Sequence, residues 1–306
     1  MAEVDFEVLV IGGGPAGLSA ALYLARYKRS VGLFDACSGR STWYQTNRNL
    51  LGFPEGIKAR ELRQIGRQQL QEYEHVSFVD ERVTRMARDG ECFIAVTKSR
   101  AWTGRAVILC TGVSDYWPQF PGWQEYVGRS MFWCITCDGY SSRGMKLVVV
   151  GNTNDAAVTA LQLTRFTDDV TIITNQRENA IGEEAQARLA EAGVPLIHDT
   201  IKTAHGTNGQ FESLTTSGGL TIKLDRLFNQ QGARPRVKLA LDLGVQLDKN
   251  GYICVDSEQK TNVPGVYAAG DVDGLHSHQI TTAVHEGGQA ASAANYYLYP
   301  PALKHD

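Results

Sequence analysis

The chain has 306 residues, a net charge of -3 and a pI near 6.2, long enough for two domains with separate cores. No basic excess marks it for nucleic acid or an anionic membrane surface, and no apolar run reaches the roughly 18 residues of a membrane span. The acidic start, Met1-Ala2-Glu3-Val4-Asp5, is unlike a basic signal peptide. A cytoplasmic protein is expected, in a reducing milieu that disfavours structural disulfides, with proteins or small molecules as partners.

Val8-Leu9-Val10-Ile11 reads as a buried parallel strand running into Gly12-Gly13-Gly14-Pro15-Ala16-Gly17 and a helix with Ala20, Ala21 and Leu24 on one side. This is the pattern of a dinucleotide-binding turn. Gly12 permits the tight turn, Gly14 lets a pyrophosphate approach the backbone, Gly17 lets helix and strand pack, and the phosphates meet the helix N-terminus. A second apolar strand, Val31-Gly32-Leu33-Phe34, ends in Asp35 at the spacing of a carboxylate that bonds a ribose 2′-hydroxyl. The loop-like stretch 38–56 holds Trp43 and Tyr44, which either pack against protein or stack on a flat ring beside the dinucleotide. A helix is expected over 58–73 and strands over 77–84 and 92–97. A buried strand over 105–110 then ends in Thr111-Gly112. The run Trp117-Pro118-Gln119-Phe120-Pro121-Gly122 breaks regular structure, and a domain crossing is placed there.

Trp133-Cys134-Ile135-Thr136-Cys137-Asp138-Gly139 follows, with two thiols two residues apart and an acid directly after. At a helix start the backbone N–H groups lower a thiol's pKa, and a nearby carboxyl can move the proton that disulfide exchange requires. Structural zinc wants two close pairs of ligands, whereas Cys37, Cys92, Cys110 and Cys254 are scattered singly. A redox pair is therefore preferred to a zinc site or to two unconnected buried thiols. No metal site is expected.

A second βαβ unit begins with Leu147-Val148-Val149-Val150 and Gly151-Asn152-Thr153-Asn154-Asp155-Ala156. Thr153 stands where a second glycine would let a pyrophosphate come close. The next strand, Val170-Thr171-Ile172-Ile173, ends in Thr174-Asn175-Gln176-Arg177, with neither an acid for a ribose hydroxyl nor an arginine cluster for a 2′-phosphate. Phe228 to Pro235 reads as the close of this domain, followed by a return crossing. Val266-Tyr267-Ala268-Ala269-Gly270-Asp271 is a strand ending in a carboxylate suited to a flavin polyol. A helix over about 282–296 could oppose negative charge on a reduced flavin with its N-terminus. The aromatic tail, Tyr296 to Pro301, reads as ordinary docking.

Together these motifs, with Gln279-Ile280-Thr281 after Gly270-Asp271, resemble the low-molecular-weight thioredoxin reductase family over nearly the whole chain. The resemblance implies an α/β protein with two Rossmann-like (three-layer ββα) nucleotide-binding domains. One is a discontinuous FAD domain of 1–117 and 245–306. The other is an inserted NAD(P)H-binding-like domain, 118–244, that carries the Cys-x-x-Cys. It implies a homodimer, a thioredoxin-like protein or other protein dithiol as partner, and Cys137 facing the flavin, Cys134 exchanging with the partner, and Asp138 as acid/base. Gly12, Gly14, Pro15, Ala16, Gly17, Asp35, Thr111, Gly112, Gly270, Asp271, Gln279 and Ile280 would line FAD, with Trp43 and Tyr44 as candidates beside it.

Family members that use NADPH have a glycine-rich second turn and a His-Arg-Arg run with a further arginine. Here those positions read Thr153, Thr174, Asn175, Gln176 and Ala180, with Arg177 the only nearby cation. Losing two charge-assisted contacts, at roughly 1.5 to 3 kcal/mol each, lowers affinity by about two to four powers of ten. NADPH is thus not the expected reductant. The closer resemblance is to members lacking the NADPH motifs: the ferredoxin-dependent flavin thioredoxin reductases and the diflavin-linked disulfide oxidoreductases, the latter with a second FAD. A ferredoxin or quinone-linked redox partner stays open. The alternatives are an NADPH-dependent thioredoxin reductase and a non-catalytic flavin redox sensor.

Overall fold

The computed structural model describes residues 3–176 and 180–304, so Arg177 lies outside the described residues. Two compact units are present. Met1–Thr42, Ala59–Ser114 and Arg234–Asp306 form the first, and Trp43–Lys58 with Asp115–Ala233 the second. The return to the first unit falls at Arg234 rather than near 245. The 43–58 segment goes with the inserted unit because the Trp43 ring packs on Trp117 and Trp123, with centroids 6.0 and 6.3 Å apart.

In the first unit, the strands Val76–Val79, Val31–Phe34, Phe6–Ile11 and Ala101–Leu109 lie parallel in that order. The long Ala101–Leu109 strand branches. Its end pairs with Val266–Ala268, while its start pairs antiparallel with Cys92–Val96, which in turn pairs with Arg85–Asp89. Alternate side chains of the first strand feed two cores, as a sheet covered on both faces requires. Val8 and Val10 pack with Ala20, Leu24, Ala290 and Ala294, whereas Leu9 and Ile11 pack with Phe34, Met86 and Phe93. The helix expected over 58–73 spans Ala59–Leu70, and the last helix runs Ile280–Leu298, beyond both ends expected for it. Its earlier start follows from the Gln279 N–H, which donates to Thr282 Oγ1 at 3.2 Å.

The second unit holds a parallel five-stranded sheet in the order Met131–Phe132, Arg226–Asn229, Leu147–Val150, Val170–Ile173, Leu196–Ile197. Its helices Asn154–Leu163 and Glu183–Glu191 cover one face through Ala156, Ala160, Leu163 and Leu189. A three-stranded antiparallel sheet, Ile201–Thr207, Gln210–Thr216 and Thr221–Lys223, covers the other through Ile201, Phe211 and Leu214. That small sheet was not anticipated. Its signal is the Asn208-Gly209 pair, both at positive φ (54° and 72°), the turn chemistry of a tight hairpin. The outcome is the three-layer α/β arrangement that two Rossmann-like domains require. No helix among the described residues is long and apolar enough to cross a membrane.

Candidate active site and cofactor cradles

Cys134 and Cys137 are joined in a disulfide, with Cα atoms 5.3 Å apart. Cys134 is the N-cap of the short helix Ile135–Asp138, and its Sγ accepts from the Cys137 N–H at 3.1 Å. Once the bond opens, that N–H faces a thiolate, which lowers the cost of the charge. Asn49, on the segment that joins this unit from earlier in the chain, places Nδ2 3.8 Å from Cys137 Sγ.

Asp138 closes the helix. Its carboxyl is pushed up to about 7, because burial outweighs the opposing pull of the Arg226 and Arg48 charges. A carboxyl that titrates near neutrality can both give and take a proton there. Arg226 in turn is lowered by burial against the favourable field of Asp138. It is fixed by donating to Ser142 Oγ at 2.9 Å, and that hydroxyl donates to the Asp138 carbonyl at 2.7 Å. Arg48, Asn49, Ser142 and Arg226 were not singled out from the sequence. No local pattern marks them, since only the fold brings 48–49 and 226 to the Cys pair.

The glycine turn of the first unit is shaped by close approach. A Cβ on Gly12 would sit 2.1 Å from the Cys110 carbonyl oxygen, and one on Gly17 would sit 1.8 Å from the Gly12 oxygen. Gly14 differs. The nearest atom to a Cβ there is Ser41 Oγ at 3.8 Å, so the backbone faces free space. Gly14 is also the N-cap of Pro15–Arg26, with no side-chain cap hydrogen bond. The helix therefore presents uncapped N–H groups at an open glycine, a fit for the pyrophosphate of FAD. Ala16 is buried in the following turn.

Asp35 ends its strand as a buried carboxylate held by Arg63 and, at 3.5 Å, by Arg67. Gly112 has φ +64° with open space beyond it, and the Thr111 hydroxyl donates to the Arg236 carbonyl at 2.8 Å. Asp271 pairs with Arg40 at 2.7 Å. Gln279 is the N-cap and Ile280 the first residue of the last helix. All of these lie in the first unit. Trp43 and Tyr44 do not: both lie in the second, where Trp43 joins the tryptophan cluster and Tyr44 stacks under the Arg129 guanidinium, 4.0 Å from the ring centre. Both rings thus have protein neighbours.

The second turn is closed by its own side chains. Thr153 Oγ1 accepts from the Ala156 N–H at 3.4 Å, occupying the helix N-terminus that phosphates would use. Asn152 Nδ2 donates to Gln176 Oε1 at 2.6 Å, bridging the turn to the end of the Val170–Ile173 strand. Asn175, at φ 54°, accepts from the Ile201 N–H at 2.8 Å. The adjoining cavity, about 420 Å³, is lined by Asp115, Tyr116, Trp117, Gln119, Asn152, Gln176 and Gln231, with no basic side chain among them.

These geometries accord with the relatives of the chain. The pyridine nucleotide-disulphide oxidoreductase family model matches residues 6–287. The thioredoxin reductase of Treponema pallidum is 30% identical over 97% of this chain and 98% of its own length. The crystal structure of thioredoxin reductase from Streptococcus pyogenes superposes with a TM-score of 0.88 at 28% identity, covering 96% of this chain and 98% of that one. The atypical thioredoxin reductase TRi of Desulfovibrio vulgaris Hildenborough is 34% identical, covering 95% and 97%, with a TM-score of 0.54. A redox disulfide beside a near-neutral acid, an open nucleotide turn and relatives that align end to end converge on one assignment: the chain belongs to the pyridine nucleotide-disulphide oxidoreductase family, as an FAD-dependent thiol-disulfide oxidoreductase of the thioredoxin reductase type.

Proposed function

We propose that the enzyme passes electrons between FAD and the Cys134/Cys137 disulfide, and onward to or from a thioredoxin-like protein dithiol, without NADPH. Bound FAD would supply two-electron chemistry, held by the Gly12–Gly17 turn, Asp35 and the Gly270–Asp271 turn. Cys137 would be the thiol that exchanges electrons with the flavin, Cys134 would exchange with the partner's sulfur, and Asp138 would hold the proton that leaves or joins the thiols. A ferredoxin, a quinone-linked protein or a second FAD then takes the place of the pyridine nucleotide.

The observation that carries this reading is the contrast between the two turns. The first is an uncapped helix at an open glycine, whereas the second is filled by the Thr153 cap and the Asn152–Gln176 bond. A phosphate entering the second must displace both, in a cavity whose lining among the described residues has an acid and no cation.

One observation favours the NADPH-dependent alternative, to which the pyridine nucleotide in the family's description also points. Asn229 Oδ1, buried at the carboxyl end of its strand, has no hydrogen-bond partner among the described residues, and an amide donor on a ligand would satisfy it. Anaerobic mixing with NADPH, reduced ferredoxin or dithiothreitol, while following the oxidised flavin band, separates the two. Rapid and complete bleaching by one equivalent of NADPH overturns the first reading. Bleaching by dithiothreitol with slow or absent bleaching by NADPH supports it.

A further inference from the structure

Beneath the Gly270–Asp271 turn lies a cluster of ionisable groups that the disulfide chemistry does not use. Glu286, on the last helix and 3% exposed, accepts from the Gly270 N–H through Oε2 at 2.7 Å. Its Oε1 lies 2.8 Å from His276 Nδ1, and the His276 side chain is 45% exposed, a route to solvent. Asp273, 1% exposed, accepts from the Leu275 N–H at 3.0 Å and, through Oδ2, from the Gln259 amide at 3.2 Å.

The other ionisable groups here are few. Cys110, from the end of the Ala101–Leu109 strand, is held protonated by burial and by the two carboxyls. Asp271 is compensated by Arg40. The His285 ring is 6.4 Å from that of His276. His276 is thus the basic side chain closest to the two buried carboxyls. Burial first, then the Glu286 charge, pushes Asp273 up to about 7, so its proton is exchangeable near neutrality.

We propose that Asp273, Glu286 and His276 form a proton store that gains one proton when flavin bound at the Gly270–Asp271 turn is reduced. The inference rests on the FAD reading. Oxidation of the Cys134/Cys137 dithiol to the disulfide breaks two S–H bonds, forms the S–S bond and releases two electrons and two protons. Both electrons reach the flavin, which as reduced anion keeps one proton, and the store keeps the other as a neutral carboxylic acid. Electrostatics supplies the coupling, because Glu286 is hydrogen-bonded to the Gly270 N–H of the turn that would hold the flavin's polyol, so charge gained by the flavin would act on it through the low-dielectric interior.

The test is the midpoint potential of the bound flavin against pH, from roughly pH 6 to pH 9. It is measured on the FAD-loaded full chain after released flavin has been counted. The wild type is expected to show a slope of two protons per two electrons near neutrality, falling to one proton in Asp273→Asn and in Glu286→Gln. A one-proton slope throughout in the wild type overturns the proposal, as does a two-proton slope retained in both variants. Failure to retain flavin at all would instead overturn the FAD reading. Should Asp273→Asn not fold, reduced-minus-oxidised infrared difference spectra of the wild type decide: a protonated-carboxyl band that grows on reduction supports the store, and its absence overturns it.

Discussion

At the residue scale, Asp138 sets the chemistry. Its carboxyl titrates near 7 in the folded chain against about 3.9 unfolded, so the native state binds more protons across that window. Stability tied to this group is therefore fully present below about pH 4 and is lost as pH rises through 7. Asp138→Asn removes that loss. The variant is expected to be as stable as the parent near pH 4 and more stable above pH 7, by roughly 1 to 3 kcal/mol after allowance for partial exposure. Denaturant unfolding at the two pH values checks this. The same substitution is expected to slow dithiol-disulfide exchange by about a hundredfold, read by stopped-flow flavin reduction with dithiothreitol. The two thiols are also expected to differ. Cys137→Ser is expected to abolish dithiol-driven flavin reduction, while Cys134→Ser is expected to keep that reactive thiolate and show a long-wavelength charge-transfer band. Swapped spectra would reverse the assigned roles.

At the element scale, the decisive comparison is between two βαβ turns of the same design. Gly14 leaves its helix uncapped, whereas Thr153 supplies its own helix with an acceptor. A Thr→Gly change at an N-cap costs only a few tenths to about 1 kcal/mol. Asn175 is a poorer place for arginine, since its side chain bonds Ile201 and its φ is 54°, a region that long side chains adopt at some cost. Thr153→Gly with Gln176→Arg is accordingly the clean reversal. It is expected to tighten NADPH at least tenfold, by flavin-bleaching titration, if phosphate access is what limits binding. An unchanged titration places the obstruction elsewhere.

Both turns, the strands that lead into them and the Cys pair were legible in the sequence because each is local: an apolar run, a glycine spacing, two thiols in register. The side chains that tune Asp138 were not legible, because Arg48 and Arg226 meet it only through the tertiary fold. Trp43 and Tyr44 read in the sequence as either packing against protein or stacking on a flat ring, and their neighbours Trp117 and Arg129 were not legible because they come from far along the chain.

At the scale of the whole molecule, one cradle that is open and one that is filled predict a cofactor count. Chain supplied with excess FAD, desalted and denatured, is expected to release one flavin per chain if an external protein is the donor, and two in the diflavin form. Saturation a hundredfold above the dissociation constant is expected to stabilise the fold by about 2.7 kcal/mol, visible as a raised melting temperature. The tryptophans add an optical property. Of five in the chain, Trp43, Trp117, Trp123 and Trp133 cluster in the unit that holds the disulfide, and Trp102 alone lies in the other. Ultraviolet emission is therefore weighted towards one half of the molecule. Because Trp133 directly precedes Cys134 and disulfides quench indole, the protein is expected to carry an unlabelled lamp, its emission rising as the Cys134/Cys137 bond is reduced.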